Sequence, residues 1–314
     1  MTHYNKPPLT IEQHINQLKE RGLVITDPIV AEQYLTNIGY YRLSAYCLPF
    51  EQLNETEPSK RSHKFKKATK FDDILNLYIF DRKLRLLMME AIERIEVAIR
   101  TQWANEMSLT HNDPHAFMNT ELFNDPWKHQ RQLSKVTNEL KDSNEVFINH
   151  YKKHYNQPFL PPIWAMVEII TFGSLSQWYS NTKDNKLKAK IAKSLGMPTV
   201  EVMQGTLHSL TLIRNICAHH SRLWNRRFTM QLPAIRKLKQ QMRIEKITTK
   251  SGDVQEQPRR ELFNYIVVIS HMMLKIQPDS SWTSRLISHI QTLDINQQVM
   301  MGFSADWQES DFIK

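Results

Sequence analysis

Hydrophobic residues recur at helical spacing over the segment between residues 72 and 109. Apolar side chains follow one another there every three or four positions, while Glu93 and Glu96 fall between them. This period is typical of an amphipathic α-helix, since a half-buried strand would alternate every second residue. The pattern predicts one long helix from Asp72 to about Leu109.

Shorter helices are predicted on both sides of this segment. Thr10 and Gln13 match a capping box at a helix start. Asp27 and Pro28 match an N-cap residue followed by proline at the first helical position. The polar residues 247–258 predict a small β-hairpin. Further helices are predicted over residues 40–46, 126–155 with an interruption near 143, 163–173 with Gly173 as its kink or end, 183–195, 199–224, 259–276 and 281–293.

The composition agrees with a helical chain. Seven glycines in 314 residues are few, and the many tight turns of sheet-rich folds depend on glycine. We therefore predict an all-α fold in three parts. These are an N-terminal helical segment (1–55), a helical bundle (56–232) and a C-terminal helical extension (233–314) that holds the small hairpin.

The charge balance favours an anionic partner. Lysine and arginine outnumber aspartate and glutamate, which gives a formal net charge of +9. Two cysteines exclude a disulfide scaffold and a cysteine-rich zinc module. The N-terminus lacks a basic-then-apolar signal segment, and no apolar stretch approaches the roughly 20 residues that span a bilayer. We expect a soluble, cytoplasmic protein that does not associate with a membrane.

Two basic stretches stand out along the chain. The first lies in a predicted loop over residues 51–70, and the second follows Pro233. Each is either a solvated surface segment or an arm that contacts phosphate groups, and both interpretations stay open. The candidate phosphate-contacting residues are Lys60, Arg61, Lys64, Lys66, Lys67, Arg236, Lys237 and Lys239.

The helix predicted from Thr199 has one apolar face. Its apolar residues recur at spacings of four and three, which places them on one side of a helix. They are Met203, Leu207, Leu210, Ile213 and Cys217. A thiol at the end of such a stripe is typical of a buried core residue rather than of a reactive nucleophile.

The end of the same helix carries a group of polar residues. Asn215, His219 and Arg222 follow one another at spacings of four and three, so they share a predicted face. Arg214 lies on its flank, about 100° around the helix axis from Asn215. On spacing alone, the group is either a polar helix end that complements the helix dipole or a functional site.

Five stretches, in order along the chain, carry a resemblance to a known family. They are KPPLTIEQHINQLKERGL (6–23), YLTNIGYYRLSAYCLPF (34–50), LYIFDRKLRLLMMEAIERIEVAIR (77–100), PPIWAMVEIITFGSLS (161–176) and HSLTLIRNICAHHSRLWNR (208–226). Together they resemble the Abi-like (abortive infection, AbiD/AbiF-type) family of bacterial phage-defence proteins. The last stretch, with Arg214 ahead of His219 and His220, also resembles the R-x(4–6)-H motif of HEPN-type ribonucleases. The resemblance covers roughly residues 5–230, and the remainder matches no motif.

The resemblance implies a HEPN-like helical bundle and a metal-independent endoribonuclease used in abortive-infection phage defence. In that chemistry the ribose 2′-OH attacks the phosphate, and the products carry 2′,3′-cyclic phosphate and 5′-OH ends. Histidine can move the protons at neutral pH, and the planar fork of arginine suits phosphate oxygens. The catalytic roles carry over to Arg214, Asn215 and His219. The auxiliary, phosphate-binding residues are His220, Arg222 and Arg226.

The resemblance also implies partners. HEPN enzymes pair two such helices across a two-fold axis, so we expect a homodimer with a composite active site and RNA as substrate. The two basic stretches then become candidate RNA contacts. A toxic ribonuclease needs restraint, which implies an antitoxin, either RNA or protein, or a phage trigger. We expect no cofactor and no metal, since His150 and His154 have a zinc-ligand spacing but no further ligand near them in sequence.

Two alternatives stay open. His219 and His220 both fit the motif, and the position of Asn215 one helical turn before His219 favours His219 as the acid or base. The other alternative is a catalytically silent RNA-binding or adaptor module of the same fold, because a cationic polar helix face also serves binding.

Overall fold

Helices make up most of the chain in its computed structural model, which describes residue 3 and residues 5–57, 60–249 and 251–307. The helices are α1 (Ile11–Glu20), α2 (Pro28–Ile38), α3 (Tyr40–Cys47), α4 (Phe71–His111), α5 (Pro126–Asp142), α6 (Val146–His154), α7 (Ile163–Ile169), α8 (Phe172–Asn181), α9 (Asn185–Ser194), α10 (Val200–Ala218), α11 (Leu262–Ile276), α12 (Trp282–Ile290) and α13 (Ile295–Val299). Within those residues no helix is both long and apolar enough to cross a membrane.

Among the described residues, two paired strands form one small hairpin. Strands β1 (Ile244–Thr248) and β2 (Val254–Pro258) pair antiparallel, with Ile244 opposite Pro258. The predicted all-α fold with a small hairpin is therefore confirmed. The first strand begins three residues before the predicted segment 247–258.

The chain divides into two compact units, residues 1–85 and 86–314, with the boundary inside α4. The predicted divisions after residues 55 and 232 stay predictions. In the first unit the capping box at Thr10 is formed, and Asp27 caps α2 as expected. His14 of α1 stacks on Tyr40 of α3, with ring centroids 4.3 Å apart. Aromatic packing thus joins the short N-terminal helices.

The first unit also holds a buried polar triad, formed by Tyr46, Asp81 and Arg85. Asp81 and Arg85 of α4 form an ion pair, and the Tyr46 hydroxyl donates to Asp81 Oδ2 over 2.6 Å. All three side chains are buried. Burial, with the negative charge of Asp81, raises the pKa of the Tyr46 hydroxyl above its ordinary value. The three buried groups form hydrogen bonds with one another, so each depends on the other two.

In the second unit, α10 packs against α8 and α9. Its predicted apolar face is confirmed, because every side chain of the stripe, Cys217 included, is buried. α5 packs against α7 and α8. The core of this unit is therefore built around the helix that carries the candidate motif.

The break between α7 and α8 differs from its prediction. The expected end of a helix at Gly173 is wrong, because α7 already ends at Ile169. Thr171 then caps a new helix by accepting from the Ser174 N–H over 3.2 Å. A Cβ atom on Gly173 would meet the side chain of Thr211 at 3.3 Å. The glycine thus serves the close approach of α8 to α10 rather than a helix end.

Candidate functional site

Helix α10 ends in a Schellman turn within the predicted motif. His219 is the C-cap residue, and His220 follows in the left-handed conformation with φ 54°. The His220 N–H donates to the Cys217 carbonyl over 3.0 Å. The Ser221 N–H donates to the Ile216 carbonyl over the same 3.0 Å. Glycine usually occupies the left-handed position of this turn, so a histidine there is a mildly strained residue at the centre of the site.

The turn changes the predicted arrangement of the polar residues. The expected continuation of the helix to Trp224 is wrong, because α10 ends at Ala218. Arg222 therefore lies beyond the helix and does not share a helix face with Asn215 and His219. The structure leaves Asn215 and His219 exposed together at the end of α10.

The chain after the turn is held by two buried side chains. Leu223 and Trp224 are both fully buried in the second unit. Between them and the turn, Arg222 is half-buried, and its carbonyl accepts a hydrogen bond from Arg226 Nη1 over 3.3 Å. The two predicted auxiliary arginines are therefore neighbours, and Arg226 is exposed to solvent.

Arg214 belongs to a buried charged cluster that includes two residues of α4. Glu96 and Arg100, one helical turn apart, form an ion pair. Arg100 Nη2 also donates to the Ile170 carbonyl over 2.7 Å, at the break between α7 and α8. The charge of Arg214 acts on the Glu96 carboxylate from α10. The charges of two guanidinium groups thus act on one carboxylate, which leaves a positive excess beside the motif.

Burial sets the electrostatics of this cluster. Glu96 is 8% exposed, and desolvation raises the pKa of its carboxyl above the ordinary value, while the charges of Arg100 and Arg214 act in the opposite direction. The Nε atoms of Arg100 and Arg214 are buried without a hydrogen-bond partner among the described residues. Buried donors without a partner are rare in folded proteins and often mark a site that awaits a ligand. The cluster suits an anion better than a neutral group.

Sequence reasoning did not include Glu96 in the site. The Glu96–Arg100 spacing of four residues signals an ion pair on one helix. Nothing in the sequence connects that pair with Arg214, which lies more than 110 residues later along the chain. The contact follows from packing within the second unit.

The two basic stretches have different surroundings. In the first unit, Lys60 pairs with Glu57, and Arg61 pairs with Glu51 and donates to the Ser44 carbonyl. The neighbouring Lys64, Lys66 and Lys67 are exposed. In the second unit, Arg236 and Lys237 are exposed, and Lys239 pairs with Glu256 over 2.6 Å. Their role as RNA contacts stays a prediction.

The spacing of the two histidines on α6 matches a pair of zinc ligands. The rings of His150 and His154 stack with centroids 4.2 Å apart, and His154 Nδ1 lies 2.8 Å from the His150 carbonyl. Across the described part of the chain, no three His, Cys, Asp or Glu side chains come together as ligands for a metal ion.

Comparison with known proteins gives one match. A family model described as Abi-like protein matches residues 33–225, a range that includes α3 to α10 and the turn after α10. No curated protein and no solved structure matches the chain. The matched range contains Arg214, Asn215 and His219, as well as Glu96.

Proposed function

The chain belongs to the Abi-like protein family, and we propose that it is a metal-independent endoribonuclease of the HEPN type. Membership of the family supports a role in abortive infection or phage defence. In that role the enzyme acts as a toxin-like effector that cleaves RNA and so stops growth. An antitoxin, either RNA or protein, or a phage-derived trigger restrains or releases it.

One observation carries the proposal: the end of α10 holds an exposed imidazole, and the same helix carries a cation whose charge acts on Glu96. His219 is exposed at the C-cap, where its ring is accessible to a substrate. Arg214 lies five residues before His219 on the same helix, and its charge acts on the buried Glu96. Arg100 and Arg214 together carry one positive charge more than Glu96 neutralises, and this excess attracts a phosphate group.

The chemistry assigns one role to each residue. His219 takes the proton of the ribose 2′-OH or delivers one to the leaving 5′ oxygen. Arg214 stabilises the charge that develops on the phosphate oxygens during attack. Asn215 orients His219 or holds the phosphate, and His220, Arg222 and Arg226 bind neighbouring phosphates. No step in this scheme uses a metal ion or a cofactor.

The alternative function is a catalytically silent RNA-binding or adaptor module. One observation favours it. The His219 imidazole is exposed at the C-cap of α10, and a catalytic base is usually oriented by a second group. A second copy of the chain would supply that group in the composite site of the enzyme.

We predict that purified protein cleaves total bacterial RNA in the presence of EDTA. Internal transesterification needs only an acid, a base and a cation, which two copies of the motif would supply together. The cut ends should carry cyclic phosphate and 5′-OH, as shown by end mapping with and without phosphatase or kinase treatment. Cleavage that EDTA abolishes, with 5′-phosphate ends, would overturn the mechanism. No cleavage by a protein that still binds RNA would favour the adaptor module.

We also predict that the active protein is a homodimer. One chain supplies one clearly placed histidine, whereas transesterification needs both an acid and a base. The ends of two α10 helices should therefore meet across a two-fold axis. Sedimentation at micromolar concentration should show a dimer, and an excess of His219→Ala chains should suppress the activity of wild-type chains, because a mixed dimer keeps only one of the two histidines. Full activity from a monomer would contradict this prediction.

A further inference from the structure

A second polar cleft lies in the same unit as the motif, between α5, α8 and α10. Its volume is about 590 Å³, which falls in the range typical of ligand sites. Three cationic side chains of α5 line it, and His208 of α10 faces them from the opposite wall. No carboxylate is among the residues that line this cleft. We call it the α5–α10 cleft.

The cations of the α5–α10 cleft lie on one face of α5. Lys128, Arg131 and Lys135 follow one another at spacings of three and four residues. Neither Lys128 nor Arg131 forms an ion pair with a described residue. Lys135 donates to the Ser174 hydroxyl over 2.8 Å and lies 3.8 Å from the Glu139 carboxylate. Most of the positive charge in the cleft is therefore available to an anion.

Buried donors in the wall of the cleft have no acceptor. Gln132 lines the cleft and is 6% exposed. Its Oε1 accepts from Asn181 over 3.1 Å, while its Nε2 has no partner among the described residues. The indole N–H of Trp178, also in the wall, likewise lacks a described acceptor. Unfilled donors beside unpaired cations indicate a ligand rich in acceptor oxygens, which describes a phosphate.

The cleft opens along the same side of α10 as the motif. His208 and Asn215 are seven residues apart on this helix, and both are exposed. Helix geometry places them about 10 Å apart along the axis and within about 20° of one direction. A chain of phosphates that leaves the cleft beside His208 therefore reaches the exposed end of α10. Trp178 is fully buried, so the exposed ring among the described residues that line the cleft is the His208 imidazole.

We infer that the α5–α10 cleft binds the phosphate backbone of single-stranded RNA and guides the strand toward His219. The inference rests on the proposed function, because it names where the substrate lies beyond the scissile bond. Recognition is by charge and hydrogen bonds to phosphate oxygens, and it is independent of the base sequence. The cleft thus supplies affinity, while the end of α10 supplies the chemistry.

The test measures binding separately from cleavage. A fluorescein-labelled oligouridylate is titrated with the full-length His219→Ala protein at several salt concentrations, and anisotropy gives the affinity. Introducing Lys128→Gln and Arg131→Gln into the His219→Ala protein should weaken binding of the oligouridylate at low salt. It should also make the slope of log affinity against log salt shallower by about 1.4, since each single-strand phosphate contact contributes about 0.7.

The matched control removes the same charge elsewhere in the unit. Lys186→Gln with Lys193→Gln changes two exposed lysines of α9, and the salt slope should stay unchanged. The inference would be overturned if both double variants changed the salt slope equally. It would also be overturned if Lys128→Gln with Arg131→Gln changed neither the affinity nor the slope. Competition by uridine monophosphate as strong as that by the oligonucleotide would also overturn it, since the cleft would then hold free nucleotides. If the cleft variant loses affinity but wild-type protein never cleaves RNA, the inference stands and the proposed ribonuclease activity fails.

Discussion

Replacing His219 with alanine is expected to abolish RNA cleavage, and with it the toxicity of the protein when it is expressed in bacteria. The imidazole is exposed at the C-cap of α10, and its loss removes the proton carrier of the motif. A general acid or base typically contributes a factor of about 10² to 10⁴ in rate. Toxicity assays measure the effect in living bacteria, and cleavage of purified RNA measures it in vitro.

The matched control is His154→Ala, which removes an exposed histidine from α6. It should leave cleavage and toxicity unchanged. Melting curves of both variants should match that of the wild-type protein, because each side chain is exposed. A harmless wild-type protein that cleaves no RNA would contradict the enzymatic assignment itself.

The neighbouring histidine calls for a different substitution. His220 has a positive φ of 54°, a conformation that glycine adopts without strain. His220→Gly therefore removes the ring while glycine suits the backbone conformation of the turn, and we expect a measurable fraction of the activity to remain. The opposite pattern, with His220 essential and His219 dispensable, would keep the mechanism and move the catalytic role by one residue.

Arg214→Lys completes this test of the motif. Lysine keeps the positive charge beside Glu96 but cannot hold two phosphate oxygens with one planar group. We expect severe loss of cleavage with little loss of affinity for RNA. An active Arg214→Lys enzyme would show that charge alone is sufficient at this position.

Much of the fold could be predicted because local signals agree with the packing. The caps at Thr10 and Asp27 depend on residues three positions apart or fewer. The apolar face of α10 is visible as a simple period, and burial of Leu207 and Ile213 follows from it. Such features need no knowledge of distant parts of the chain.

The features that escaped prediction depend on unusual backbone or on distant partners. Glycine, which usually ends a helix, does not occur between Ala218 and Trp224. His220 adopts the left-handed conformation that a glycine would take there, so the sequence gives no signal for the end of α10. Glu96 joins Arg214 only through the packing of α4 near α10. The cleft cations lie three and four residues apart on α5, a spacing that a search for continuous basic runs does not detect.

The largest effect on stability is expected in the first unit, at the buried triad of Tyr46, Asp81 and Arg85. Asp81→Ala leaves the Arg85 guanidinium buried without its carboxylate and removes the acceptor of the Tyr46 hydroxyl. Breaking a buried ion pair in this way typically costs about 3–5 kcal/mol in the free energy of unfolding. Urea titration followed by far-ultraviolet circular dichroism measures the loss.

Two further variants separate the loss of a partner from the loss of the charges themselves. Glu256→Ala breaks the exposed pair with Lys239 and should change stability little, because solvent already screens that pair. The triple variant Tyr46→Phe, Asp81→Leu, Arg85→Met removes every polar group of the triad, so it leaves no buried charge unpaired. It should therefore be more stable than Asp81→Ala alone, as buried ion pairs replaced by apolar residues often are. A loss for Asp81→Ala no larger than that of the Glu256 variant would show that water reaches Arg85 and that the triad is not a desolvated unit.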